Sequence, residues 1–177
     1  KTDKSMGMKL VADSGSTKTD WRVISEEEVT SEFETEGINP YFKSNEDIVK
    51  LLKYQVVTQL VDENEILEVY FYGAGCSSEV KNKQLAESFR EVFINAKVSI
   101  KHDLLGAAIA SCGNEKGIVA ILGTGSNSCL FDGQRIAKEQ NSLGYILGDE
   151  GAGSNIGKRL LIDFLYGRTP EHITKKM

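Results

Sequence analysis

Small and hydroxylated residues crowd one turn near the start of the chain, in the segment VADSGSTKTDWRVI. Backbone N–H groups in tight turns of small residues point into a concavity that binds phosphate oxygens. Ser16, Thr17 and Thr19 can add hydroxyl donors, and Lys18 adds a positive charge. A carboxylate repels phosphate, so Asp13 would instead hold a hydrated Mg²⁺ that binds the phosphates. The segment therefore predicts a metal–triphosphate site, and an ordinary turn with a solvated lysine is the alternative.

A second turn of the same design lies in the segment LGTGSN. Gly123 and Gly125 allow close backbone approach, and Thr124, Ser126 and Asn127 supply hydrogen-bond donors. The chain contains no G-x-x-x-x-G-K-[ST] sequence, so neither turn is a P-loop. The second turn is therefore another candidate phosphate site.

A third candidate for chemistry is Asp103, in the segment HDLLGAA. It stands between an apolar strand and an apolar helix, which should hold its carboxylate rigidly. A carboxylate in that position can accept the proton of an attacking hydroxyl. The alternative is a plain helix cap, for which Asp is a favoured residue. His102 is expected to point to the opposite face of the strand.

Strands and helices that alternate along the chain must position these three segments. Apolar periodicity and β-branched runs predict strands at 8–13, 19–25, 28–37, 66–75 and 97–103, and helices at 44–60, 78–93 and 104–112. A strand–turn–strand pattern returns at 117–133, and a glycine-rich loop leads into a helix within 148–167. The order predicts an α/β unit followed by the beginning of a second, similar unit.

The composition narrows the class of protein. The chain has 177 residues, 40% of them hydrophobic, and a net charge of -5, so we expect neither a nucleic acid nor a membrane partner. No apolar run reaches the ~18 residues of a membrane span. The three cysteines form no C-x-x-C pair, which is typical of a reducing cytoplasm. Residues 1–7 resemble an expression remnant before a native start at Met8.

Four segments in order, DSGSTKT, HDLLGAA, ILGTGSNS and GYILGDEGAGS, resemble motifs of the actin-like sugar kinases. Within that superfamily they resemble the N-acetylglucosamine kinase family, together with the related activator ATPases of benzoyl-CoA reductase. The resemblance implies two ribonuclease-H-like α/β domains with mixed sheets and an active site in the cleft between them. It implies a first domain at 8–116 and the beginning of a truncated second domain at 117–177. Family members often have glycine where this chain has Ser14 and Ser16.

The resemblance also implies a role for each motif residue. Asp103 would be the catalytic base, and Asp13 would face Mg²⁺ through water. The residues that would bind the ATP phosphates are Ser16, Thr17, Lys18, Gly123, Thr124 and Gly125. The residues that would contact the sugar are Asn39, Ser126, Asn127 and Asp149. Asn39 has an alternative as a turn residue before Pro40.

The activity implied is ATP- and Mg²⁺-dependent phosphorylation of a sugar hydroxyl, with an amino sugar such as N-acetylglucosamine as substrate. One alternative is an activator that couples ATP hydrolysis to a CoA-ester reductase or dehydratase, and another is a non-catalytic sugar sensor. A homodimer is compatible with either enzyme. Because the adenosine-binding part of the family fold would follow Met177, we expect this chain alone to be inactive.

Overall fold

The computed structural model describes residues 7–177, so most of the predicted remnant at 1–7 lies outside the described residues. The chain forms two compact units, which divide between Gly106 and Ala107. That division falls inside a helix, ten residues before the predicted domain boundary at 116/117, which stays a prediction. Among the described residues, no helix is both long and apolar enough to span a membrane.

The first unit contains a mixed five-stranded sheet with strand order β3-β2-β1-β4-β5. Its strands are β1 (Met8–Ser14), β2 (Lys18–Ser25), β3 (Glu28–Glu36), β4 (Ile66–Gly73) and β5 (Lys97–His102). The meander β1–β2–β3 is antiparallel, whereas β4 and β5 extend the sheet in parallel from β1. The predicted fold class, α/β with a mixed sheet, is confirmed.

Three α-helices follow β3, β4 and β5 in turn along the chain. They are α1 (Asn45–Leu51), α2 (Glu79–Val92) and α3 (Asp103–Cys112). The helix predicted at 44–60 begins as expected, since Ser44 Oγ accepts the Asp47 N–H at 3.2 Å. After α1 the backbone widens into a π-helical turn at Leu52–Val56 and ends in a 3₁₀ turn. The change of pitch keeps the apolar side chains, spaced four apart, against the core.

An aromatic cluster joins α2 to one face of the sheet. Trp21, Phe71, Phe89 and Phe93 are almost fully buried. The ring centroids of Phe71 and Phe89 are 5.1 Å apart, and those of Trp21 and Phe71 are 6.3 Å apart. Such tilted pairs stabilise a core beyond the area they bury. The cluster packs α2 against β2 and β4, the strands on either side of β1.

The second unit begins with another antiparallel meander, β6 (Gly117–Leu122), β7 (Ser126–Phe131) and β8 (Ile136–Glu139). The predicted hairpin is confirmed, but β8 was not predicted. Its signal was the Asp-Gly pair at 132–133, where Asp132 Oδ1 accepts the N–H groups of Gln134 and Arg135 at 2.9 Å.

Helices α4 (Gly144–Leu147), α5 (Gly153–Leu165) and α6 (Glu171–Thr174) complete the chain. The predicted apolar stripe of α5 is present, but its residues are largely exposed, with Ile156 at 59% and Leu165 at 73%. Apolar periodicity thus predicted the helix correctly without indicating what covers it.

Candidate active site

The sheet of the first unit brings two separate motifs to one edge. Ser14, at the end of β1, pairs with Gly73 of β4, which pairs with His102 of β5. Parallel strands end at the same edge, so Asp13 and Asp103 lie along it although 90 residues separate them in the chain. Asp13 also lies opposite Asp20 in the β1–β2 hairpin. The fold therefore concentrates carboxylates beside the first turn.

The surroundings of Asp13 at this edge raise the pKa of its carboxyl group. Partial burial, followed by the charges of Asp103 and Asp20, raises the pKa of the Asp13 carboxyl. A divalent cation would relieve this repulsion, so the residues fit a metal held beside phosphates. Within residues 7–177, no three His, Cys, Asp or Glu side chains cluster closely enough to bind a metal by themselves.

The first turn presents some of its predicted ligand groups to solvent. Gly15, Ser16 and Thr17 are exposed, and the Gly15 N–H donates to the carbonyl oxygen of Lys18 at 2.9 Å. Ser16 and Thr17 are thus accessible to a ligand. Thr19 is fully buried, and its Oγ lies 3.2 Å from the carbonyl of Glu36. The interpretation of Thr19 as a phosphate donor was therefore wrong, because strand β2 turns its side chain inward.

Lys18 is paired with acidic side chains of the sheet. Its Nζ lies 3.0 Å from Asp20 Oδ1 and 2.9 Å from Glu34 Oε1. The hydrogen bonds to Glu34 and Asp20 raise the pKa of Lys18. All three side chains are exposed, and solvent screening leaves such surface pairs with little net stabilisation. A phosphate can therefore compete for the ammonium group, and the phosphate role of Lys18 stays a prediction.

Replacing Lys18 with alanine is expected to raise the KM for ATP at least about fivefold and to leave the KM for the sugar nearly unchanged. The matched control is Arg22→Ala on the same strand, because Arg22 forms an exposed pair with Glu32 at 2.9 Å. Steady-state kinetics of the full-length protein measures both constants. If both substitutions change the KM for ATP equally, Lys18 is only a solvated lysine in an ordinary turn.

Asp103 begins α3, and its Oδ1 accepts the N–H of Leu104 at 2.8 Å. His102 Nε2 lies 3.3 Å from the same oxygen. The prediction that His102 points to the opposite face was therefore wrong. Its Nδ1 is buried without a hydrogen-bond partner among the described residues. Strand β5 ends at His102, and the turn into α3 brings the two side chains together. Both the cap and the base interpretations of Asp103 remain compatible with this geometry.

Asn39 closes the loop between β3 and α1. It is 7% exposed, and its Oδ1 accepts the Tyr41 N–H at 3.0 Å. Its carbonyl oxygen accepts the N–H groups of Phe42 and Lys43 at 3.0 and 3.1 Å. A side chain on Gly75 would come within 2.6 Å of Asn39 Oδ1. Asn39 therefore shapes the turn, and its contact with a sugar stays a prediction.

The second turn is attached to the helix that follows it. The Gly123 and Thr124 carbonyls accept the N–H groups of Gly153 and Ser154 at 2.9 and 3.2 Å. Asp149 Oδ1 accepts the Ser126 N–H at 3.0 Å, and Asp149 itself has a left-handed backbone (φ 58°). Besides its predicted role toward a sugar, Asp149 thus supports the phosphate turn.

A cavity of about 320 Å³ lies beside this turn in the second unit. Ser126, Asn127, Asp149 and Glu150 all line it. Asn127 is also anchored to Glu139, with its Nδ2 donating to Oε1 at 2.9 Å. The cavity has the size of a small-molecule site, and its polar lining suits a ligand rich in hydroxyl groups. The structure thus brings three of the four predicted sugar residues together.

The fold is the α/β fold of the actin-like ATPases. It is similar to the ADP-bound crystal structure of MreB5 from Spiroplasma citri, with a TM-score of 0.59 and 14% identity over 77% of this chain and 52% of that chain. No family model matches the chain. No curated protein matches it either.

Two similar solved structures are described as candidate N-acetylglucosamine kinases. The protein from Porphyromonas gingivalis is 43% identical, with a TM-score of 0.89 over 93% of this chain and 58% of that chain. The protein from Chromobacterium violaceum is 20% identical, with a TM-score of 0.68 over 91% of this chain and 57% of that chain. The chain therefore spans somewhat more than half the length of these relatives.

Proposed function

We propose that the full-length protein is an ATP-dependent kinase that phosphorylates a hydroxyl group of an amino sugar, with N-acetylglucosamine as the first candidate. The observation that carries this proposal is the common sheet edge of the first turn, Asp13 and Asp103. The 43% identity to the Porphyromonas gingivalis protein supports the choice of sugar.

In this proposal each group of residues has one task. Ser16, Thr17 and Lys18 bind phosphate oxygens from the first turn, and the turn at 123–125 binds them from the second. Asp13 orients hydrated Mg²⁺, which when bound would neutralise phosphate charge. Asp103 accepts the proton of the attacking sugar hydroxyl. Positioning and electrostatic stabilisation supply most of the acceleration in phosphoryl transfer.

The cavity beside Asp149 is the proposed hydroxyl-binding surface. Asp149 Oδ1 is already bonded to the Ser126 N–H, which leaves Oδ2 to accept a sugar hydroxyl. Ser126 and Asn127 line the same cavity and contribute further polar groups. Asn39 is also proposed to contact the sugar, through its side-chain amide.

The activator alternative would need thiolates that bind an iron–sulfur cluster. The described cysteines give it no support: burial raises the pKa of Cys76 to about 12 and raises that of Cys129 as well.

The sensor alternative predicts sugar binding without turnover. Dimer formation and a cytoplasmic location stay predictions.

A coupled ADP-release screen of the full-length protein tests the proposal. We expect turnover with N-acetylglucosamine and a kcat/KM at least about tenfold higher than with glucose, because a site built for a polar group rejects a ligand that lacks it. Mass spectrometry should detect one sugar phosphate for each ADP released. ADP release that does not depend on sugar would favour the activator, and sugar binding without ADP release would favour the sensor.

A further inference from the structure

A pair of buried hydroxyl groups lies at the base of the first turn. Ser14 and Thr19 face each other across the β1–β2 hairpin, both are fully buried, and their hydroxyl oxygens are 2.7 Å apart. Neither side chain can reach a ligand in the turn. A buried hydroxyl requires a partner, so the contacts of this pair indicate what it stabilises.

The partners of the pair lie at the end of β3 and in the loop that leads from it to Asn39. Ser14 Oγ accepts the N–H of Ile38 at 3.0 Å, and Thr19 Oγ lies 3.2 Å from the carbonyl of Glu36. Ser14 Oγ also lies 3.2 Å from the carbonyl oxygen of Ile38, and either hydroxyl can donate across the contact between Ser14 and Thr19. Each arrangement of the hydroxyl hydrogens gives both groups a partner.

Gly37 forms a second connection between the turn and this loop. Its N–H donates to the carbonyl of Thr17 at 2.9 Å. A Cβ at Gly37 would lie 2.5 Å from the carbonyl oxygen of Gly15 and 2.7 Å from Ser16. The loop therefore packs directly on the backbone of the turn, without room for any side chain between them.

From these contacts we infer that Ser14 and Thr19 are positioning residues that hold the phosphate turn and the Asn39 loop in one fixed arrangement. This inference rests on the proposed function, in which the turn binds ATP and the loop approaches the sugar. Misplacement of one reactant by about 1 Å can cost ~100-fold in rate. The hydroxyl pair would therefore act on kcat through the relative position of the two substrates.

Packing alone does not require the pair. Valine has nearly the shape of threonine, and it would fill the same space without a hydroxyl. Apolar replacement of a bonded polar pair can be almost neutral for stability, whereas loss of one partner leaves the other unsatisfied. What the pair adds beyond filling space is therefore a set of specific hydrogen bonds that connect the turn to the loop.

The test compares Thr19→Val, Thr19→Ser and Ser14→Ala in the full-length protein, with Ser88→Ala as the matched control. Ser88 is also buried, but it lies in α2, where its Oγ donates to the carbonyl oxygen of Gln84 in the same helix. We expect Thr19→Val and Ser14→Ala to lower kcat about 10- to 100-fold with both KM values changed less than about threefold. Thr19→Ser keeps the hydroxyl and should restore kcat to within about twofold of the parent value.

Amide hydrogen exchange provides a readout that does not depend on turnover. MgADP should slow exchange in the turn at 14–18 and also in the loop at 36–43 of the parent protein. In Thr19→Val the protection of the turn should persist, while that of the loop should fall to the level of the ligand-free protein. Ser88→Ala should behave as the parent protein does.

The outcomes separate the inference from the proposed function. Protection of the turn but not of the loop in the parent protein would overturn the inference and leave the nucleotide site intact. Protection of both segments, lost from the loop in Thr19→Val, would support the inference even if no sugar is phosphorylated. If MgADP protects neither segment, both proposals are wrong.

Discussion

Replacing Asp103 with asparagine is expected to lower kcat at least about a hundredfold, the typical cost of losing a general base. The amide cannot accept the proton of the sugar hydroxyl. Its oxygen can still accept the N–H of Leu104, which Asp103 Oδ1 accepts at 2.8 Å. Asparagine is as good a helix cap as aspartate, so the variant should remain folded. Calorimetry should measure retained sugar binding, and a thermal melt should measure a nearly unchanged Tm.

The control for this variant is Asp62→Asn, which makes the same change at another cap. Asp62 Oδ1 accepts the N–H of Asn64 at 2.9 Å at the start of a 3₁₀ turn. This control should keep the parent kcat. If Asp103→Asn also retains more than half of the parent kcat, Asp103 is only a helix cap, and the sensor alternative becomes the better interpretation.

Replacing Asp13 with asparagine is expected to reduce the Mg²⁺-dependent rate at least about a hundredfold, which corresponds to ~2.7 kcal/mol of transition-state stabilisation. The same change should slightly stabilise the ligand-free protein at pH 7. Burial and the charges of Asp103 and Asp20 raise the pKa of Asp13, and an amide at this position carries no charge for them to repel. We expect a rise in Tm of no more than roughly 2 °C, because solvent still reaches this side chain and screens the charges around it.

The difference in Tm between Asp13→Asn and the parent protein should depend on pH in a defined direction. A carboxyl group whose pKa is raised on folding stabilises the fold below its unfolded pKa of 3.8, and this contribution is lost as pH rises through the folded value. The Tm advantage of Asp13→Asn should therefore be present at neutral pH and disappear near pH 3.8. Thermal melts without Mg²⁺ or nucleotide measure it.

Asp132→Asn is the control, because the pKa of Asp132 is shifted in the opposite direction. Backbone hydrogen bonds from Arg135 and Gln134 lower the pKa of Asp132, so its ionised form stabilises the fold above the unfolded pKa. This variant should not gain stability at pH 7, and its activity should match that of the parent. If Asp13→Asn lowers Tm at pH 7, or keeps the Mg²⁺-dependent rate, the crowded-carboxylate interpretation of Asp13 is wrong.

Local patterns determined most of the secondary structure. Alternation at 19–25 predicted β2, and the Ser44 cap predicted the start of α1, since both signals depend on residues close in sequence. The short strand β8 was missed because its four residues carry little periodicity. The pitch change after α1 was also missed, because packing against the core, and not helix propensity, decides it.

The sequence by itself determined which residue types stand in the turns at 14–18 and 123–125 and at the end of β5. Only the tertiary structure decided their surroundings. It buried Thr19 beside Ser14, and it placed Ser14 Oγ within hydrogen-bond distance of the carbonyl oxygen of Ile38, which is 24 positions away in the chain. It also bonded Asp149 to Ser126 across 23 positions. Hydrogen bonds of this range depend on strand register and loop packing, and neither follows from local periodicity.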